Sequence, residues 1–168
     1  MSVLKVVKYP AKVLKTRAEE VEKITAEDVK LVRDMIDTMY AENGVGLAAN
    51  QVGILKQIFV TSPDQEKGKE LVFFNPRIIK KQGVIKEFEG CLSVPELYEP
   101  VKRSKRVWIR AMNMKGETVE VKGEGLLSRI FQHEIDHLNG ILFVDRLGFV
   151  KSSLTQKKLK KKLASQSA

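Results

Sequence analysis

The run LLSRIFQHEIDHLNG, residues 126–140, governs how the rest of the chain is read. Its apolar residues recur at helical spacing and Gly140 suits a position just past a helix end, so the segment is read as one helix. His133 and His137 are the only two histidines in the chain. On a helix, residues four apart lie on one face about one turn from each other, so both imidazoles can reach one metal ion, and Glu134 borders the same point. Imidazole is a common ligand for zinc and iron, and water bound to such a metal has its pKa lowered to roughly 7, within reach of a carboxylate base. The plain alternative is two histidines that merely sit on a helix face. Against it stands the concentration of the whole histidine content in one motif.

Upstream of this helix, from Gln57 to Glu124, the pattern changes to short segments rich in Val, Ile and Phe: IFVT, LVFFNP, GVIKEF, RVWIRAMN and ETVEV. Gly, Pro, Asn and Asp separate them, which is the punctuation of β-strands. The residues Met114, Lys115, Gly116 and Glu117 suggest a hairpin turn, with Arg110, Met112, Val119 and Val121 in its alternating strands. Nearer the N-terminus, Pro10 followed by Lys12, Val13, Leu14 and Ala18 reads as a short opening helix. A second helix is expected after Thr25, an N-cap followed by Glu27 and Asp28. Its apolar stripe is Val29, Val32, Met35, Ile36 and Met39, and Asn43 and Gly44 stop it. Strands in the middle and helices around them give an α+β chain.

A chain of 168 residues with 43% hydrophobic content can build one core, so a single domain is expected. Residues 1–150 are read as that domain and 151–168 as its basic C-terminal helix or tail. The tail holds Lys151, Lys157, Lys158, Lys160, Lys161 and Lys162, a large part of the net charge of +9. Leu154, Leu159 and Leu163 recur there at roughly helical spacing. Such an arm attracts polyanions, RNA or an anionic membrane surface, by a salt-dependent force; the alternative is a solvated helix face that keeps the protein soluble. No apolar run approaches the length of a membrane span, and MSVLKVVKYP lacks the features of a signal peptide. One cysteine rules out an intrachain disulfide and fits a reducing compartment, so an intracellular protein is expected.

Two histidines cannot complete a metal site, and the remaining soft ligand is Cys91 in the segment EGCLSVP. One Cys with two His leaves a position open for water, as a catalytic site requires, although Cys91 alone would read as a buried apolar filler. Gly44 and Gly46 let the backbone lie close to a ligand. Gln51 offers an amide donor, useful where a carbonyl oxygen becomes negative, or a simple loop cap.

Three separated stretches, GVGLAANQ (44–51), EGCLS (89–93) and HEIDH (133–137), together resemble peptide deformylase. The resemblance extends from the segment ending near Tyr9 and Pro10 through GILFVDRL. Asn50 stands where that family varies, and Tyr98 occupies a position that is arginine in some members. The resemblance implies short mixed or antiparallel sheets packed around the central helix that carries HEIDH, with a C-terminal helix. It implies a hydrolase that removes the formyl group from the N-terminal formyl-methionine of nascent polypeptides and releases formate. Cys91, His133 and His137 would hold one divalent metal, iron(II) in the cell, with zinc, nickel or cobalt also suited to these donors. Water on that metal would attack the formyl carbon, with Glu134 as general acid and base and with Gln51 and the Leu92 N–H stabilising the oxyanion. Val45, Gly46, Leu92 and Ile130, with His133, would bind the peptide and its methionine side chain, and the backbone around Val45 and Gly46 would pair with it. Glu89, Arg103 and Asp136 would form a buried charge network that orients the ligands. The expected setting is a bacterial-type cytoplasm, with possible ribosome contact through the tail, no membrane association and no sequence-specific nucleic acid. The rival readings are a general zinc endopeptidase, from which Cys91 distinguishes it, and a basic RNA- or ribosome-associated module with a structural metal, which would have no need of Glu134.

Overall fold

The computed structural model of the protein describes residues 2–167. Thr25 caps the first long helix, α1 (Ala26–Ala41), reciprocally: the Asp28 N–H donates to Thr25 Oγ1 at 3.2 Å and the Thr25 N–H to Asp28 Oδ2 at 3.0 Å. Two donors that the helix start would leave unpaired are satisfied this way. Val32, Met35 and Met39 of the predicted stripe are buried. The opening helix predicted after Pro10 is instead one 3₁₀ turn, Lys12–Lys15. Thr16 is already extended, and the Ala18 N–H leaves to donate to Leu138 O at 2.8 Å, so no further turn can form.

Seven strands follow among the described residues: β1 (Gly46–Ala48), β2 (Ile58–Thr61), β3 (Leu71–Gln82), β4 (Ile85–Cys91), β5 (Val94–Arg103), β6 (Arg106–Met112) and β7 (Thr118–Glu124). All pair antiparallel, five in a sheet ordered β1-β2-β3-β6-β7, with β4 and β5 forming a separate two-stranded sheet. The hairpin around Met114–Glu117 joins β6 to β7 as expected, with Ile109 opposite Val121 and Arg110 opposite Glu120. Sequence periodicity missed β1, which is too short to alternate, and β5, where Pro95 and Pro100 hide the pattern. A two-stranded sheet consists only of edges, the place where proline is tolerated.

The central helix α2 (Leu126–Leu138) ends as Gly140 suggested. Gly140 takes φ +74°, its N–H donates to His137 O at 2.9 Å, and the Ile141 N–H donates to Asp136 O at 2.9 Å. These two bonds close the helix in a left-handed turn, and a Cβ at Gly140 would meet Lys15 O at 2.6 Å. One face of α2 packs on the five-stranded sheet: the Phe59, Phe73 and Phe131 rings lie 5.1 to 6.0 Å apart, and Ile135 and Leu138 join the same cluster. The opposite face meets β4 and β5. A C-terminal helix, α3 (Phe149–Gln166), packs through Leu159 against Leu142, Phe143 and Val144. The fold is thus α+β, with antiparallel sheets around the helix that carries HEIDH. No helix among the described residues is long and apolar enough to cross a membrane.

Candidate metal centre and its cavity

His133 and His137 stand one turn apart on the face of α2 that looks away from the five-stranded sheet, and Cys91 reaches them from the last position of β4. Cys91 Sγ lies 3.2 Å from His137 Nε2, and the two Nε2 atoms lie 3.1 Å apart. Among the described residues these three are the His, Cys and carboxylate side chains whose ligand atoms converge closely enough to hold one ion. Glu89 decides how His133 presents itself. Its Oε2 lies 3.0 Å from His133 Nδ1, and a carboxylate can only accept, so Nδ1 carries a proton and Nε2 is the nitrogen that a metal would take, displacing the proton it holds while the ring is charged. Burial opposes a protonated His133, yet the bonds to Cys91 and Glu89 hold its pKa well above the usual imidazole value. His137 is pushed well below that value by burial and by the charges of His133 and Arg103.

Behind the histidines lies the predicted charge network, with one further member. Arg103 Nε and Nη2 donate to the two oxygens of Glu89 at 2.7 and 2.9 Å, and its Nη1 donates to Asp136 Oδ2 at 2.6 Å. Arg146, which the sequence reading did not single out, holds the same Asp136 with Nη2 at 2.6 Å and Nε at 3.1 Å. Burial works against ionised Glu89, but Arg103 and His133 outweigh it and bring its pKa down to about 2. The anion that fixes His133 therefore stays charged across the ordinary pH range.

Glu134 is the exception among these carboxylates. Burial, the largest influence, lifts its pKa to about 7 despite the nearby positive charges of His133 and Arg103. Its Oε2 is buried with no hydrogen-bond partner in the protein. Gly46 makes room for this group, since a Cβ there would meet Glu134 Oε1 at 2.5 Å. Gln51 sits at the end of the GVGLAANQ stretch, where the Ala48 N–H donates to its Oε1 at 2.9 Å. That bond fixes the amide, so Nε2 points to Ser93 Oγ at 3.2 Å and Cys91 Sγ at 3.6 Å.

A cavity of about 460 Å³ opens over the centre, and Val45, Gly46, Gln51, Leu92, Ile130, His133 and Glu134 all line it. The site residues predicted from sequence are brought together, with His137, Arg103 and Asp136 buried behind the cavity wall rather than on it. Phe88, Tyr98, Leu126, Arg129 and Lys8 are among the further lining residues and were not marked as site residues. Only the alternation of β4 could have pointed to Phe88; nothing near Lys8 in the sequence carries a signal.

The donor set passes a test of fit for a divalent metal. A sulfur and two imidazole nitrogens meet with a fixed tautomer at His133, and a buried carboxylate oxygen without a partner lies on the neighbouring residue. A thiolate with two neutral imidazoles suits zinc, iron, cobalt or nickel and leaves coordination positions free.

Comparison with known proteins yields one consistent family. The family pattern described as Polypeptide deformylase matches residues 3–153. The chain is 44% identical to the peptide deformylase of Thermodesulfovibrio yellowstonii over 164 residues, covering 96% of this chain and 99% of that one. It is 49% identical to the peptide deformylase of Buchnera aphidicola subsp. Schizaphis graminum over 159 residues, covering 95% of each. Among solved structures, the peptide deformylase of Legionella pneumophila superposes with a TM-score of 0.91 at 39% identity, covering 99% of this chain and 98% of that one. The enzyme from Ehrlichia chaffeensis in complex with actinonin superposes with a TM-score of 0.86 at 42% identity, covering 96% and 98%.

Proposed function

The chain belongs to the polypeptide deformylase family and is an enzyme of that kind, and we propose that it hydrolyses the formyl group from the N-terminal formyl-methionine of nascent polypeptides through the residues gathered at Cys91, His133 and His137. The observation that carries this reading is the convergence of those three ligand atoms beside the buried, partnerless Oε2 of Glu134. Cys91, His133 and His137 would hold one divalent metal per chain, iron(II) in the cell with zinc, nickel or cobalt as substitutes, which would supply Lewis acidity and a more acidic water.

The protein's own groups do the rest. An extended peptide pairs with the backbone at Val45 and Gly46 and seats its methionine side chain against Ile130, Leu92 and His133. Glu134 takes the proton of the attacking water and returns it to the leaving amine, a two-way transfer for which a pKa of about 7 is well matched. Gln51 Nε2 and the Leu92 N–H meet the negative charge that develops on the formyl oxygen. Glu89, Arg103 and Asp136 keep His133 and the hairpin in register.

Residues 1–150 act as the catalytic domain and residues 151–168 as its basic arm. On α3 the exposed Lys157, Lys158, Lys160 and Lys161 form a face suited to ribosomal RNA, and we place the enzyme in the cytoplasm where chains emerge. Leu159 is buried, so reversing the charge of Lys157 and Lys161 is a cleaner test than truncation. Formate release from a small formyl peptide should persist while ribosome binding weakens; unchanged binding refutes the arm's role.

The activity itself is tested by formate release from formyl-Met peptides, beside metal analysis of the same sample. Release stoichiometric with lost formyl peptide, and no cleavage of unblocked peptides, is the expected result. Cleavage of internal bonds would favour the endopeptidase reading.

A further inference from the structure

We propose that Lys8 is a positioning residue for deformylation, holding the turn that presents the Leu92 N–H to the substrate; this rests on the reading of Leu92 as an oxyanion donor. Leu92 and Ser93 form a two-residue loop between Cys91 and Val94, which pair across β4 and β5. Neither loop residue has a positive φ. Two-residue hairpin turns that match the twist of their strands need positive φ at one or both central positions. This loop is not of that kind; the hairpin shifts register just before it, between Glu89 and Cys91, and ties from outside the hairpin hold it.

Both of its carbonyls are tied to one segment. Lys8 Nζ donates to Leu92 O at 2.6 Å, and the Tyr9 N–H donates to Ser93 O at 2.8 Å. The preceding Val7 N–H donates to Gln51 O at 2.7 Å. Three consecutive residues thus brace both groups that face the formyl oxygen. Tyr9 is buried in one cluster with Val94 and Phe143, so the backbone of this segment is anchored without help from Lys8. The Lys8 side chain adds the one tie that reaches Leu92 itself. Lys8 also lines the cavity over the metal centre, and a charged donor makes a stronger bond than a neutral one. Removing the ammonium frees the Leu92–Ser93 peptide, whose carbonyl it holds, to rock; through the Leu92 Cα that motion tilts the adjoining Cys91–Leu92 peptide, which misplaces the Leu92 N–H when charge develops on the formyl oxygen and leaves substrate binding intact.

The test compares metal-loaded Lys8→Met and Lys8→Arg with the unaltered enzyme for formate release from a formyl-Met dipeptide. Loss of one oxyanion donor costs ~10²–10³ in kcat; loosening one should cost about 5- to 20-fold. In Lys8→Met we expect that fall in kcat with KM, metal content and Tm unchanged, and in Lys8→Arg recovery to within about threefold. An unchanged kcat in Lys8→Met overturns the proposal, as does a loss that tracks metal content or Tm. Gln51→Ala in the same assay separates the two levels. If it loses turnover while Lys8→Met does not, only the role of Lys8 fails; if neither loses turnover, the oxyanion reading fails with it.

Discussion

Toward the five-stranded sheet α2 presents Phe131, Ile135 and Leu138, which pack with Phe59, Phe73 and Ile109 in one apolar cluster. Toward the β4–β5 hairpin the same helix presents His133 and Asp136, which meet Glu89 and Arg103 through ion pairs. Apolar packing is non-directional and tolerates small adjustments of position. A buried ion pair adds little net stability but penalises any misalignment, because a partner moved away leaves an uncompensated charge. The helix is thus secured on one side by area and aligned on the other by charge. Alignment is what a metal centre requires, since its donors come from two elements that must meet within a few tenths of an ångström.

The sharpest way to break this comparison is at the ligand contributed by the hairpin. Cys91→Ala should abolish turnover and lower bound metal while leaving Tm in the metal-free state close to that of the unaltered protein, because the apolar side of α2 is untouched. Metal analysis and thermal unfolding of the same preparation check this. Substantial turnover would remove Cys91 from the ligand set.

Next in size is Glu134→Gln. Losing a positioned proton-transfer group should lower kcat by about 10²–10⁴ with metal retained. Folding stability should not fall at pH 5 to 7, since the residue is buried without a partner and its carboxyl is raised to about 7. The sign follows from linkage: a carboxyl with a raised pKa destabilises the fold as pH climbs from about 4.5 through 7, where the unfolded state sheds its proton first. The Gln variant should therefore gain stability over the parent as pH rises through that window. A variant that keeps metal and full formate release would instead leave room for a structural metal.

How much of this was legible in the sequence follows the same division. His133, Glu134, His137 and Cys91 stand out because a metal demands particular atoms, and few residue types supply them. The α1 cap was readable because Thr25 and Asp28 satisfy each other locally. Arg146 was not readable: its role is set by the Schellman turn at Gly140, which carries the chain back to Asp136, and a surface arginine looks the same in either role. Strand β5 stayed hidden because its two prolines are permitted only once its partner is known to be β4 alone. Lys8 was hidden for the same reason, since the carbonyl it holds lies far along the chain.

Arg103 tests the charged side directly. Arg103→Met should leave Asp136 still held by Arg146 but leave Glu89 facing only His133. Removing one partner of a buried pair costs ~3–5 kcal/mol, and disturbing the group that orients a ligating histidine weakens metal affinity ~10–100-fold. Denaturant unfolding and metal titration measure the two losses. Normal metal affinity in a destabilised variant would mean that the network braces the hairpin without orienting the centre.

The smallest effect is expected on the apolar side. Ile135→Val removes one methylene from the cluster under α2 and should cost about 0.5–1.5 kcal/mol, lowering Tm by a few degrees in a chain of this size. Because the neighbouring Phe131 and Leu138 still fix the helix against the sheet, the positions of His133 and His137 on the opposite face should not change. Metal affinity and kcat should therefore match the parent at temperatures where both are folded. If this conservative change lowered kcat tenfold without unfolding the protein, alignment would depend on packing as well as on charge, and the two faces of α2 would not be separable.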